Sequence, residues 1–181
     1  PMMCYTQLPT WMSWFRRDYL DEFSIRFAEG VQSYEDNLFS FAAAATARSV
    51  VVVPGPLVSH RIRNDSLSHI VDVSVQTAFF DVVDMQLEYA ATHGLLERYP
   101  AIMRNCFFHL VFLNATHVWR LLGRKHGWII KRAVDFLRNV FPDLREQREM
   151  LNASETEKND FAMAWDDVAK YLAYHRKEMD T

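Results

Sequence analysis

Glu35 and Asp36 stand side by side just ahead of a helix-favouring run, and adjacent carboxylates in that position have two uses. They meet the exposed backbone N–H groups and the positive dipole end of a first helical turn. A carboxylate held beside a hydroxyl can instead take its proton as that oxygen attacks an electrophile. A second group lies downstream, Arg61-x-Arg63-x-x-Ser66-x-Ser68-His69. Its guanidinium and hydroxyl donors suit a diphosphate, whose oxygens guanidinium forks meet in bidentate geometry. Spacing alone favours the capping use of the acidic pair, because first turns are enriched in acidic residues whatever a protein does. His69 could add a donor to that anion or approach a metal, but a lone histidine after a polar loop ordinarily caps or faces solvent, and the sequence offers it no partner ligand.

The elements that must position these residues differ along the chain. Thr10 can cap a short helix carrying Trp11, Trp14 and Phe15, after which the chain extends through Phe23, Ile25 and Phe27 to Gly30. From Glu35, the residues Leu38, Phe39, Ala42, Ala43 and Ala45 suit a closely packing helix. Residues 50–53, all valine, predict a short strand ended by Pro54-Gly55-Pro56, and residues 57–62 predict a second strand that enters the polar loop 63–69.

Beyond Ile70 the pattern becomes helical throughout. Phe79, Val83, Leu87 and Ala90 form one stripe, with Asp81, Asp84 and Glu88 on another face and Gly94 as a stop. Ile102, Cys106, Leu110 and Leu113 carry a stripe towards Leu122, and Gly123 and Gly127 bracket a basic turn. Ile130, Val134, Leu137 and Phe141 follow, ended by Pro142. Ser154 and Glu157 have capping-box spacing ahead of a last helix striped by Phe161, Ala164, Val168 and Tyr171. The shift near Ile70 divides the chain into residues 1–70, mixed, and residues 71–181, a helical bundle.

The segments around the acidic pair carry a resemblance. Trp14-Phe15-Arg16-Arg17-Asp18-Tyr19-Leu20, Ile25-Arg26-Phe27 and Tyr34-Glu35-Asp36-Asn37-Leu38-Phe39, followed by an alanine-rich helix and His60-Arg61-Ile62-Arg63-Asn64-Asp65-Ser66-Leu67-Ser68-His69, resemble the acceptor half of family 2 glycosyltransferases. Members often carry Tyr-Arg-x-Arg-x-x-Ser-x-Ser/Thr in that loop, and here His60 stands where an aromatic residue is usual. The likeness covers about the first seventy residues and rests on the order and spacing of several moderate motifs.

This resemblance implies an α/β parent fold of the GT-A type, of which this chain is the mainly α C-terminal half with a few short strands and a helical bundle tail. It implies inverting single displacement from a nucleotide-sugar donor to a glycan or lipid-linked hydroxyl acceptor, in bacterial cell-surface polysaccharide synthesis. Asp36 would be the general base and Glu35 would position it or bind the acceptor. Arg61, Arg63, Ser66, Ser68 and His69 would hold the donor diphosphate. Trp11 and Trp14 would face the acceptor, since aromatic faces complement a sugar's C–H surface, although their spacing also suits a core. A divalent ion, Mg or Mn, is expected in the longer parent, held by an Asp-x-Asp motif that this chain lacks. Asp81 and Asp84 have the wrong spacing for it. The absent donor half and the start on Pro1 fit a piece that on its own binds no metal and turns over no donor.

Composition narrows the remaining classes. A chain of 181 residues, half apolar, suits one compact domain with a core of its own. A net charge of −3 gives no general basic field, which argues against nucleic acid as a partner. Cys4 and Cys106 are too few for a disulfide framework, and the apolar run at residues 106–113 falls short of the roughly 20 residues of a membrane span. A reducing cytoplasm is the expected location. Lys131, Arg132 and Arg138, near Trp128, Ile129 and Phe136, offer a peripheral contact with anionic lipid at the inner face of the membrane, against an ordinary reading as a solvated helix face. The competing function is a non-catalytic helical interaction module in which the Glu-Asp pair merely caps a helix.

Overall fold

A computed structural model describes residues 10–59, 61 and 70–175. The chain is mainly helical, with no strand among the described residues. It falls into two compact units that part between Tyr99 and Pro100, so Ile70 lies inside the first unit. The reason is local: the helix that begins at Phe79 packs on the one that begins at Glu35.

In the first unit, α1 (Arg17–Glu22) and α2 (Glu35–Thr46) are followed by α3 (Val73–Thr77), α4 (Phe79–Thr92) and α5 (Leu95–Arg98). The alanines of α2 let its neighbours come close. Ile25, Phe39, Ala42 and Ala43 form a buried cluster, with Phe15, Tyr19, Leu20, Phe23 and Tyr89 packed around it. The Tyr19 hydroxyl donates to the carbonyl of Ala43 at 2.7 Å, and Tyr89 Oη donates to the carbonyl of Phe23 at 2.9 Å. Both phenols thus have partners where they leave water, as buried polar groups must. Burial pushes the Tyr89 phenol up to about 12.

Two strand expectations fail here. Residues 50–53 are irregular and exposed, Val51 and Val52 to more than four-fifths, and the described part of residues 57–62 is irregular as well. Valine's preference for strands is a preference for packing on a pleated neighbour, and no described segment supplies one. The first helix expectation is also corrected. Thr10–Met12 is a single 3-10 turn, and Trp14 lies outside any helix.

The second unit holds α6 (Pro100–Phe107), α7 (Asn114–Leu122), α8 (Trp128–Val140), α9 (Glu155–Asp166) and α10 (Val168–His175). A π-helical stretch, Phe108–Leu113, joins α6 to α7, and Thr116 Oγ1 donates to the carbonyl of Phe112 at 3.0 Å. Phe108, Phe112 and Phe161 meet edge to face or stacked at 5.1–5.8 Å, with Tyr171 and Trp119 alongside, all essentially inaccessible to solvent. The expected single last helix is two. Asp167 ends α9 in extended backbone, and its carboxylate accepts from the Lys170 N–H at 3.0 Å, capping α10. No helix in the described residues is long and apolar enough to cross a membrane.

Candidate functional site

Glu35 and Asp36 occupy the first turn of α2, where the sequence places them. What precedes them could not be read from residue types. Tyr34, the N-cap, has φ 66° and ψ 16°, the left-handed region that a bulky residue enters at a cost of order 1–3 kcal/mol. It is held there by its own side chain. Tyr34 Oη donates to Gln76 Oε1 at 3.3 Å, and its ring meets Phe79 edge to face at 6.0 Å. Gln76 in turn donates from Nε2 to the carbonyl of Ile70 at 2.7 Å.

A second glutamine braces the same turn. Gln86, on α4 and only 1% exposed, donates from Nε2 to the carbonyl of Asn37 at 3.1 Å. Its Oε1 is buried with no hydrogen-bond partner among the described residues. A buried acceptor left so costs about 1–3 kcal/mol. Gln76 and Gln86 were missed by sequence reasoning, because a polar residue inside a helical stripe looks like an ordinary surface position.

The electrostatics of the turn follow from this packing. Asp36 is half-buried and its carboxyl lies above the ordinary carboxylate range, raised first by burial and second by the charge of Glu35. The backbone N–H groups of Asp36 and Asn37 pull the other way without winning. No side chain caps the helix. Glu35 itself is exposed. The arrangement is a half-buried carboxyl next to a solvated one, on a turn held by contacts from α3 and α4.

The other sequence candidates are placed unevenly. Trp11 and Trp14 are exposed, Trp14 to 83%, so neither is the core residue that helical spacing favoured. The Thr10–Met12 turn packs against α2, while Phe15 takes the core position, edge to face with Phe39 at 5.1 Å. Arg61 is exposed in irregular backbone. His60, Arg63, Ser66, Ser68 and His69 lie outside the described residues. Asp81 and Asp84 are exposed on α4. Among the described residues no three His, Cys, Asp or Glu side chains gather where they could hold a metal ion. No protein-family model, curated protein or solved structure matches this chain.

Proposed function

We propose that the chain is the acceptor-side half of a family 2 glycosyltransferase of the GT-A type, with Asp36 as general base. The observation that carries this reading is the placement of Asp36, half-buried in the first turn of α2 behind a left-handed Tyr34. A carboxylate there would ordinarily be stabilised in its charged form by the helix dipole, yet burial and Glu35 raise it. A base works best when its pKa approaches the working pH, so the shift strengthens Asp36 for proton abstraction. The strained Tyr34 immediately before it adds support, since backbone held in sparsely populated conformations clusters at functional sites.

In the reaction the acceptor oxygen attacks the anomeric carbon of the donor while the bond from that carbon to the diphosphate oxygen breaks. The hydroxyl proton passes to an Asp36 carboxylate oxygen, and the electron pair leaves on the nucleoside diphosphate. Glu35 orients the acceptor or tunes its neighbour. Trp11 and Trp14, both exposed, are assigned to an acceptor sugar on the resemblance. Arg61, Arg63, Ser66, Ser68 and His69 are assigned to the diphosphate on the resemblance alone. The divalent ion expected in the parent finds no ligand set among the described residues. The acceptor would be a glycan or a lipid-linked hydroxyl, handled in the cytoplasm or at the inner membrane face.

The test is transfer from a panel of nucleotide sugars by the protein expressed from its full reading frame, with Asp36→Asn alongside. Donor-dependent transfer that falls about 10²–10⁴-fold in the variant supports the reading. An unchanged turnover number removes Asp36 from the role. If no donor in the panel is turned over, the interaction-module reading takes its place. The exposed valines at residues 50–53 are what favour that second reading.

A further inference from the structure

The charges of this chain are not spread evenly. Although the whole carries −3, no aspartate or glutamate falls between Glu97 and Asp135, and that stretch holds Arg120, Arg124, Lys125, Lys131 and Arg132. The structure concentrates these five at one corner of the second unit. Arg120 lies at the end of α7, Arg124 and Lys125 form a 3-10 turn with His126, and Lys131 and Arg132 lie in the first turns of α8. All five are exposed.

The corner has a fixed inner side. Val118 and Trp119 on α7, with Ile129, Ile130 and Ala133 on α8, are buried. Gly127 closes the turn against α10: a Cβ there would lie 2.7 Å from Leu172 Cδ1. What remains outward is cationic with two large apolar side chains among the charges, Leu121 at 41% and Trp128 at 43% exposure. Arg138, which the sequence grouped with this surface, does not belong to it. It donates to the carbonyl of Trp165, lies over that ring and pairs with Asp135. Lys131 also pairs with Asp135, at 2.5 Å.

We propose that this corner docks the protein on an anionic membrane surface. Cations that meet headgroup phosphates, with a tryptophan and a leucine projecting between them to reach the acyl boundary, are the two components that interfacial binding requires. A purely electrostatic partner would have no use for the exposed Leu121. Trp128 suits the headgroup level because its ring is amphipathic. The surface belongs wholly to the second unit and does not depend on the role of Asp36.

Co-sedimentation of the full chain with vesicles tests it. Binding is expected to vesicles containing about 30% phosphatidylglycerol, not to pure phosphatidylcholine, and is expected to weaken as salt rises well above about 0.1 M. Arg120→Gln with Lys125→Gln should weaken partitioning roughly 25-fold, and Trp128→Ala should weaken it with the salt dependence retained. The charge variants replace exposed side chains, and circular dichroism checks that they fold. Equal binding to both vesicle types, binding to neither, or an unchanged charge variant overturns the proposal. So does preference for single-stranded RNA over the anionic vesicles at the same salt.

Discussion

The helices α2 and α9 both begin with acidic residues, and they use them in different ways. At α9, Ser154 and Glu157 form a complete capping box: the Glu157 N–H donates to Ser154 Oγ at 3.3 Å, and Glu157 Oε2 accepts from the Ser154 N–H at 2.8 Å. The carboxylate is absorbed by the helix, and the Ser154 hydroxyl and N–H hold Glu157 below the ordinary range. At α2 no side chain caps the helix, the N-cap is a left-handed tyrosine, and Asp36 is raised. An acidic first turn is therefore not one feature but two. One is a closed capping box, and the other holds a half-buried carboxyl whose first-turn N–H groups do not offset burial and the charge of Glu35.

The largest expected difference between the turns is catalytic. In the full reading frame, Asp36→Asn should lower kcat/KM for sugar transfer about 10²–10⁴-fold, while Glu157→Gln should leave it within experimental error. Steady-state kinetics on the two variants decides whether the contrast is functional. Equal losses would mean that both carboxylates act only through folding, and would return Asp36 to a capping role. Next in size is stability. Ser154→Ala removes the α9 cap and should cost about 1 kcal/mol in a denaturant titration, as loss of a serine N-cap does elsewhere. A loss near zero would show that the box at α9 is geometric only, and the comparison would lose its reference.

The sequence makes one of these turns legible and hides the other. The spacing of Ser154 and Glu157, with Phe161 and Ala164 behind them, encodes α9 locally, since cap and stripe lie within a few residues. The α2 turn is set from afar. Tyr34 depends on Gln76, 42 residues on, and Asn37 on Gln86, 49 residues on, and no local pattern announces such pairs. The same limit explains the valines at 50–53, whose strand propensity has no described neighbour to express it. It also explains the break at Asp167, because the stripe through Phe161, Ala164, Val168 and Tyr171 continues across it while a local carboxylate cap restarts the helix. The long helical stripes of the second unit are legible because burial follows their period, with Ile130, Val134 and Leu137 wholly inaccessible. The π-helical Phe108–Leu113 escapes that reading, since a run that is apolar but for His109 has little of a face to mark a slip of register.

A smaller effect probes why Asp36 is raised. Burial is the first cause and Glu35 the second, so Glu35→Gln should bring the carboxyl part of the way back down. In the pH profile of kcat/KM for transfer, the acidic limb should then move to lower pH, with the plateau little changed. A limb that stays in place would leave burial as the only operative cause. A plateau that collapses would give Glu35 a direct part in binding the acceptor, since loss of a tuning charge alone moves the limb and spares the maximum.

The smallest effect is the sharpest comparison, because its sign differs between the turns. Asp36 binds its proton more tightly in the folded chain than in the unfolded one, where an aspartate titrates near about 3.9. Its contribution to stability is therefore fully present below that value and is lost as pH rises through the higher folded pKa. Glu157 runs the other way. Its folded pKa is lowered, so its contribution is present above the unfolded value of about 4.3 and is lost as pH falls through the folded one. Both groups are partly solvated, and screening limits each effect to on the order of a few tenths of a kcal/mol. Denaturation midpoints of the wild type, Asp36→Asn and Glu157→Gln between about pH 3 and 7 separate them. Relative to wild type, Asp36→Asn should gain stability as pH rises, and Glu157→Gln should lose it. If both differences slope the same way, Asp36 is charged as comfortably as Glu157, and a cap would suffice to explain it.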